Sequence, residues 1–175
     1  SDALKIQDGK GYNRFVSSQP QYSALWRVIE SEVVPLSARE GIGQIVWSPM
    51  AQGILTGKYL PGKKPPAGSR ATDKKSGADV ISKWMRHEVL TAVQKLAPIA
   101  KEVDLTMGQL AIAWVLQNPN VSSAIMGATK PSQVKENVKA AGVKLSADVM
   151  LAIDKALGDI PATDPKETKS PNPRG

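Results

Sequence analysis

Two stretches of the chain carry residue types suited to holding a phosphate. In the first, the apolar run Ile45-Val46-Trp47 lies between Gly41 and Gly43 on one side and Ser48-Pro49 on the other, the pattern of a buried strand with a defined end. Met50, Ala51 and Gln52 follow, then Gly53 and Gly57, where backbone can approach a ligand closely, and Lys58, a point charge suited to phosphate. In the second, Val121 to Met126 reads as another strand, followed by Gly127-Ala128-Thr129-Lys130 and by Pro131, well placed to open a helix. That helix carries Gln133, Glu136 and Asn137 at i, i+3 and i+4, on one face. Its unpaired N–H groups and positive dipole end favour an anion, and Lys130 adds a full charge beside them. Either loop alone also fits an ordinary strand exit with solvated lysines; two such strand ends in one chain favour phosphate.

These loops need a scaffold. Phe15 to Gln19 reads as a short strand ending at Pro20, since proline interrupts the ladder of a central strand. Gln19 then stands at its carboxyl end, where its amide suits another carboxamide or simply water. Val28, Ile29, Val33 and Leu36 predict a helix over 26–39, kinked or split at Pro35 and ended by Gly41. The connection over about 57–78, rich in proline and glycine, is long enough to be functional or disordered. Within it Arg70 has the chemistry to grip phosphate and stack on adenine, with a solvated arginine as the alternative. A helix from near Asp79 to Val103 is expected to break at Pro98, Thr106 to Gln109 forms a capping box before an apolar helix holding Trp114 in the core, and 131–141 forms the anion-facing helix. Ser146 caps a last helix stopped by Gly158, and a mobile tail is expected over 159–175.

The 175 residues suffice for a core, and 41% of them are apolar. With no cysteine and a single histidine, His87, neither a disulfide framework nor a metal site is expected. The absence of an amino-terminal apolar leader and of a bilayer-length apolar run predicts a cytoplasmic chain without membrane insertion. A formal charge of +7 predicts an anionic partner. The lysine pairs 63–64 and 74–75 have no interleaved aromatic residues for stacking bases, which argues against nucleic acid. Strands near 15–19, 43–47 and 122–126 alternating with helices predict an α/β fold with a parallel sheet, both ligand loops following strand ends. Three such strands cannot close a barrel of eight and leave edges and one face uncovered.

The motifs Trp-Ser-Pro-Met-Ala-Gln-Gly-Ile-Leu-Thr-Gly-Lys-Tyr, Ser-Arg-Ala, Gln-Leu-Ala-Ile-Ala-Trp and Gly-Ala-Thr-Lys-Pro-Ser-Gln-Val-Lys-Glu-Asn occur in an order and spacing similar to those of the NADPH-dependent aldo-keto reductases. The likeness is strongest to the branch that includes the β subunits of voltage-gated potassium channels, and runs from about Ser17 to Gly158. It implies a TIM-type (β/α)8 barrel of which residues 1–158 are the carboxyl-terminal half, carrying strands six to eight. It further implies that Gln19 bonds the nicotinamide carboxamide and Trp47 stacks on the nicotinamide ring. Ser48, Pro49, Met50, Ala51, Gln52 and Gly53 would line the pyrophosphate loop, with Lys58 and Arg70 in a belt across the cofactor. Gly127, Thr129, Gln133, Glu136 and Asn137 would surround the adenosine and its 2′-phosphate, with Lys130 adding charge that favours NADP over NAD.

The family's tyrosine acid and its tuning residues lie on earlier strands, and Tyr12, Tyr22 and Tyr59 stand outside its motif. No catalytic residue is assigned, and the segment alone, as a truncated or partial chain, is expected to be inactive. The resemblance implies an enzyme reducing small aldehydes or ketones, completed by the amino-terminal half of the barrel. The alternatives are a nucleotide-sensing regulatory subunit of the channel-β type and a half-barrel that self-associates to cover its open edges.

Overall fold

The computed structural model describes residues 2–73, 75 and 77–167; Lys74 and the end of the tail, 168–175, lie outside that range. Helix α1 (Asp2–Lys10) precedes strand β1 (Ser17–Ser18), helix α2 (Val33–Arg39) and strand β2 (Gly43–Trp47). After β2 come 3-10 turns at Ala51–Thr56 and Arg70–Thr72, then α3 (Gly77–Ile81), α4 (His87–Gln94), α5 (Leu96–Glu102) and α6 (Met107–Leu116). Strand β3 (Val121–Ile125), α7 (Pro131–Asn137) and α8 (Ala147–Leu157) follow, with further 3-10 turns at Ser82–Trp84, Val138–Ala140 and Pro165–Glu167. The sheet is parallel throughout, in the order β1-β2-β3. This is the α/β arrangement of part of a (β/α)8 barrel, with helical crossovers between parallel strands.

Residues alternate across β2, and the two faces differ. Gln44 and Val46 are fully buried against the helices. Ile45 and Trp47 point the other way, level with Ser123 and Ile125 of β3, on a face left open: Trp47 is 39% exposed and Ile125 42%. The core sits behind the covered face, where Val46 joins Leu25, Ile54, Leu55, Val89, Val93, Val115, Ile153 and Leu157. Helix α6 is buried from Gly108 to Val115, because its far side packs a second cluster of Ile112, Ala113 and Ala140.

At the amino ends of the strands the buried Gln44 carboxamide donates to Asn120 Oδ1 (3.1 Å), and Asn120 donates in turn to the Ile42 carbonyl (2.9 Å). This clamp sets β2 against β3 where their register is irregular, between Gln44 and Ile45. Gly43 lies beside it, and a Cβ there would stand 2.4 Å from Ser122 Oγ, so a side chain at this position requires the serine hydroxyl to rotate away.

Four elements differ from expectation. Strand β1 is only Ser17–Ser18, and Phe15 and Val16 are exposed. Pairing nevertheless continues past Pro20, which lacks a donor but accepts from Trp47 N–H (3.0 Å), while Tyr22 N–H donates to Trp47 O (3.2 Å). Helix α2 begins at Val33 rather than near Trp26, and Pro35 does not kink it, because it is the third helical residue, where the N–H has no partner within the helix. Pro98 occupies the same position in α5, and the expected long helix is broken instead at 82–86, where a 3-10 turn (Ser82–Trp84) precedes α4, and again at Lys95. The anion-facing helix ends at Asn137, and 138–140 continue as a 3-10 turn.

Both predicted caps form. Thr106 Oγ1 accepts from Gln109 N–H (3.2 Å) while Gln109 Oε1 accepts from Thr106 N–H (2.9 Å), and Ser146 Oγ accepts from Val149 N–H (3.3 Å). Past Gly158 the chain returns to the turn after β1: Ala162 O accepts from Arg27 N–H (2.8 Å) and Ala162 N–H donates to Leu25 O (3.0 Å). Thr106→Ala removes one partner of the capping box and is expected to lower unfolding free energy by about 1 kcal/mol in urea titration. An unchanged midpoint would show that α6 is held by packing alone.

Candidate functional site

The carboxyl ends of the three strands bring together residues far apart in sequence. Trp47 pairs with Ile125 and bridges to Gln21, so Gln19, Trp47-Ser48 and Gly127 leave the sheet at one end. The exposed indole of Trp47 occupies the open face there, with Gln19, also exposed, leaving the neighbouring strand.

The loop after β2 has an unusual backbone. Ser48 (φ 57°), Ala51 (46°), Gln52 (61°) and Gly53 (97°) are all left-handed, three of them without glycine's freedom. Its internal bonds are regular: Ala51 N–H donates to Ser48 O (2.9 Å), Gly53 N–H to Met50 O (2.9 Å) and Thr56 Oγ1 to Gly53 O (2.7 Å). Pro49, Ala51, Ile54 and Leu55 are buried and anchor the loop, leaving Ser48, Met50, Gln52 and Gly53 partly accessible. The Ala51 and Gly53 N–H groups are spent inside the loop, so the donors it offers outward come from the side chains around it. Lys58 places its ammonium beside this loop: a Cβ on Gly53 would lie 3.3 Å from Nζ. The same ammonium stands 5.2 Å from the centroid of the Tyr59 ring.

The long connection returns to this loop through one arginine. Arg70 donates from Nη1 to Gln52 Oε1, and Gln52 donates from Nε2 to Ser48 Oγ. On its other side Arg70 is backed by α3, where a Cβ on Gly77 would lie 2.5 Å from the Arg70 carbonyl oxygen.

The third component is α7. Gln133 Oε1 accepts from the N–H groups of Thr129 (2.7 Å) and Lys130 (3.2 Å), so this side chain closes the start of its own helix. Glu136 pairs with Lys139 (2.9 Å). None of the helix is buried; Lys130, Gln133 and Glu136 are exposed and Asn137 is half-buried. Helix α7 joins the strand-end loop through the first turn of α6: Gln109 Nε2 donates to the Glu136 carbonyl (2.8 Å), and Gly108 packs near Met50 and Thr56. Gln109 is a linking residue that the sequence marked only as a cap. The signal was present in the capping box, which uses its Oε1 and leaves its Nε2 to be satisfied elsewhere.

Other titratable groups stand apart. Tyr22 donates to Glu30 Oε1 (2.7 Å), and burial together with that carboxylate pushes its phenol well above the ordinary range. Tyr59 is buried, Tyr12 is exposed near α1, and His87 is exposed at the first residue of α4. Among the described residues no group of three or more His, Asp or Glu is placed to hold a metal ion. Likewise no described helix is long and apolar enough to cross a membrane. Two clefts, of about 590 and 500 Å³, lie elsewhere: one is lined by Tyr22, Arg27 and Trp114, the other by Trp26, Lys83 and Trp84.

The aldo/keto reductase family model matches residues 1–157. A probable voltage-gated potassium channel subunit beta of Arabidopsis thaliana is 43% identical over 129 residues, covering 73% of this chain and 39% of that protein. A protein of the same description from Oryza sativa subsp. japonica is 39% identical over 158 residues, 89% of this chain and 46% of its own length. The NADH-specific methylglyoxal reductase of Escherichia coli (strain K12) is 34% identical over 159 residues, covering 86% and 44%. The chain thus spans less than half the length of each of these relatives.

Gly77→Ala is expected to push the Arg70 turn off the strand-end loop, because the new methyl meets a backbone oxygen rather than a yielding side chain. Limited proteolysis should then cut between residues 57 and 77 several-fold faster, with the unfolding free energy from urea titration lowered by no more than about 1 kcal/mol. Unchanged cleavage would show that the turn is held independently of α3.

Proposed function

Because the chain belongs to the aldo/keto reductase family, we propose that its strand-end loops hold a nicotinamide dinucleotide, NADPH, for an enzyme that reduces small aldehydes or ketones. The observation that carries this reading is the contact between belt and loop: Arg70, from a connection of about twenty residues, lies on Gln52 beside four left-handed residues and next to an exposed indole. Gln19 and Trp47 then meet the nicotinamide end, through its carboxamide and its ring. Ser48, Pro49, Met50, Ala51, Gln52 and Gly53 follow the pyrophosphate, with Lys58 and Arg70 over it. Gly127, Thr129, Gln133, Glu136 and Asn137 surround the adenosine, and Lys130 stands by the 2′-phosphate.

The residues fit such a group on chemical grounds. The Ser48 hydroxyl with the Lys58 and Arg70 cations around one loop suits phosphates, and a flat exposed aromatic at a strand end suits a ring. Bound there, the cofactor supplies hydride to a carbonyl carbon. The chain's own part is to orient it and hold its charge. The cations support NADPH, although one relative is described as NADH-specific. Residues 1–175 place no tyrosine acid at the site, so the segment alone is expected to be inactive. The open sheet face would be covered by further barrel strands of a longer protein or by a second copy. The channel-subunit relatives support a second reading, in which the bound nucleotide is sensed rather than turned over and the partner is a potassium channel.

Two measurements test this. In the full-length protein Lys130→Ala is expected to weaken NADPH by roughly 10- to 100-fold, the size of a lost charged hydrogen bond, while NADH changes far less, and Arg70→Ala to weaken both cofactors by a similar factor because the pyrophosphate is common to them. Equal losses for both cofactors on Lys130→Ala would overturn the 2′-phosphate assignment. With methylglyoxal as substrate, the isolated 175-residue chain is expected to show no NADPH oxidation, and measurable turnover would overturn its expected inactivity.

A further inference from the structure

Gln52 sits between the belt and the loop, and its side chain works in both directions. A guanidinium only donates, so the carboxamide oxygen must face Arg70, which turns the NH₂ group toward Ser48 Oγ. Ser48 therefore accepts from Gln52, and its own O–H is free to point elsewhere. Arg70 spends one of its five N–H groups on Gln52 and keeps the others. The result is a set of donors, the Ser48 hydroxyl, the Arg70 guanidinium and the Lys58 ammonium beside Gly53, grouped around one loop. Such a set suits a partner that only accepts, as phosphate oxygens do.

Gln52 is also left-handed (φ 61°, ψ 22°), a conformation that disfavours a side chain unless the surroundings hold it. The neighbouring Gly53 meets the same demand without one. A long side chain at Gln52 makes sense if it has a task that glycine cannot perform.

We propose that Gln52 is a positioning residue: its carboxamide latches Arg70 to Ser48 and so sets the belt over the strand-end loop before the dinucleotide arrives. This rests on the cofactor reading above. Arg70 is exposed and long, and freezing it at the moment of binding would cost rotamer entropy that the latch has already removed. The latch therefore acts chiefly on dissociation: with the belt held, the cofactor leaves slowly.

The test is a double-mutant cycle in the full-length protein, with NADPH affinity from fluorescence titration and dissociation from stopped flow. Gln52→Ala should raise Kd about tenfold, mostly through faster dissociation, and Gln52→Gly should do the same while relieving the left-handed backbone, which separates the side chain's role from folding of the loop. In the Arg70→Ala background neither substitution should weaken NADPH further. If Arg70→Ala weakens NADPH and Gln52→Gly multiplies that loss in full, the latch is overturned while the cofactor site stands. If Arg70→Ala, Lys130→Ala and Gln52→Gly all leave NADPH binding unchanged, the cofactor reading itself is overturned and the latch with it.

Discussion

Strand β2 is covered on one face only, and the geometry of the site follows from that constraint. Gln44 and Val46 must turn inward to meet the helices, so Ile45 and Trp47 are committed to the open side. A shift of one residue would bury the indole and expose Val46, and the clamp of Gln44, Asn120 and Ile42 at the other end of the strand opposes it. The position of Trp47 at the site is thus set three residues away, by the Gln44 and Asn120 carboxamides at the far end of the strand.

The loop that follows shows how an unfavourable backbone persists. Each non-glycine residue in the left-handed region costs of order 1 kcal/mol or more, and Ser48, Ala51 and Gln52 all occupy it. Against this, Ile54 and Leu55 are almost wholly buried within the same turn, each worth roughly 1.5–3 kcal/mol of transfer from water. The two contributions are comparable, so apolar anchoring on the core side is large enough to hold the strained side open. The loop's small residues and its isoleucine-leucine pair are two parts of one device.

Legibility in the sequence followed the range of the interaction. Local features were readable: β2 runs over Gly43–Trp47 as its apolar run and flanking residues predict, and the caps at Thr106 and Ser146 form as their hydroxyls require. Proline positions were misread because a proline's effect depends on where its helix begins, which is set by tertiary packing. Pro35 and Pro98 each fall in a first turn and cost nothing there. The joining contacts, Arg70 to Gln52 and Gln109 to Glu136, span 18 and 27 residues, and no periodicity reports them. The (β/α)8 arrangement itself came from motif resemblance, since three strands and an open face are compatible with several parallel α/β folds.

The net charge of +7 becomes informative only once the paired cations are set aside. Arg27 is bound to Glu30 (3.0 Å) and Asp154 (2.7 Å) and lies 5.0 Å from the Trp114 ring, so its charge is spent inside the structure. Arg14, Arg39, Arg86 and Lys139 also have carboxylate partners. Lys83 lies over the rings of Trp26 and Trp84, and partial burial holds its ammonium below the usual lysine range. Among the described residues Lys58, Arg70 and Lys130 form no ion pair. Lys58 and Arg70 lie by the one run among the described residues with four left-handed residues within six positions, and Lys130 precedes α7 after β3. Among the described residues Lys63, Lys64, Lys95 and Lys101 also form no ion pair and are exposed, so what sets Lys58 and Arg70 apart is their place beside the loop after β2 rather than the lack of a carboxylate.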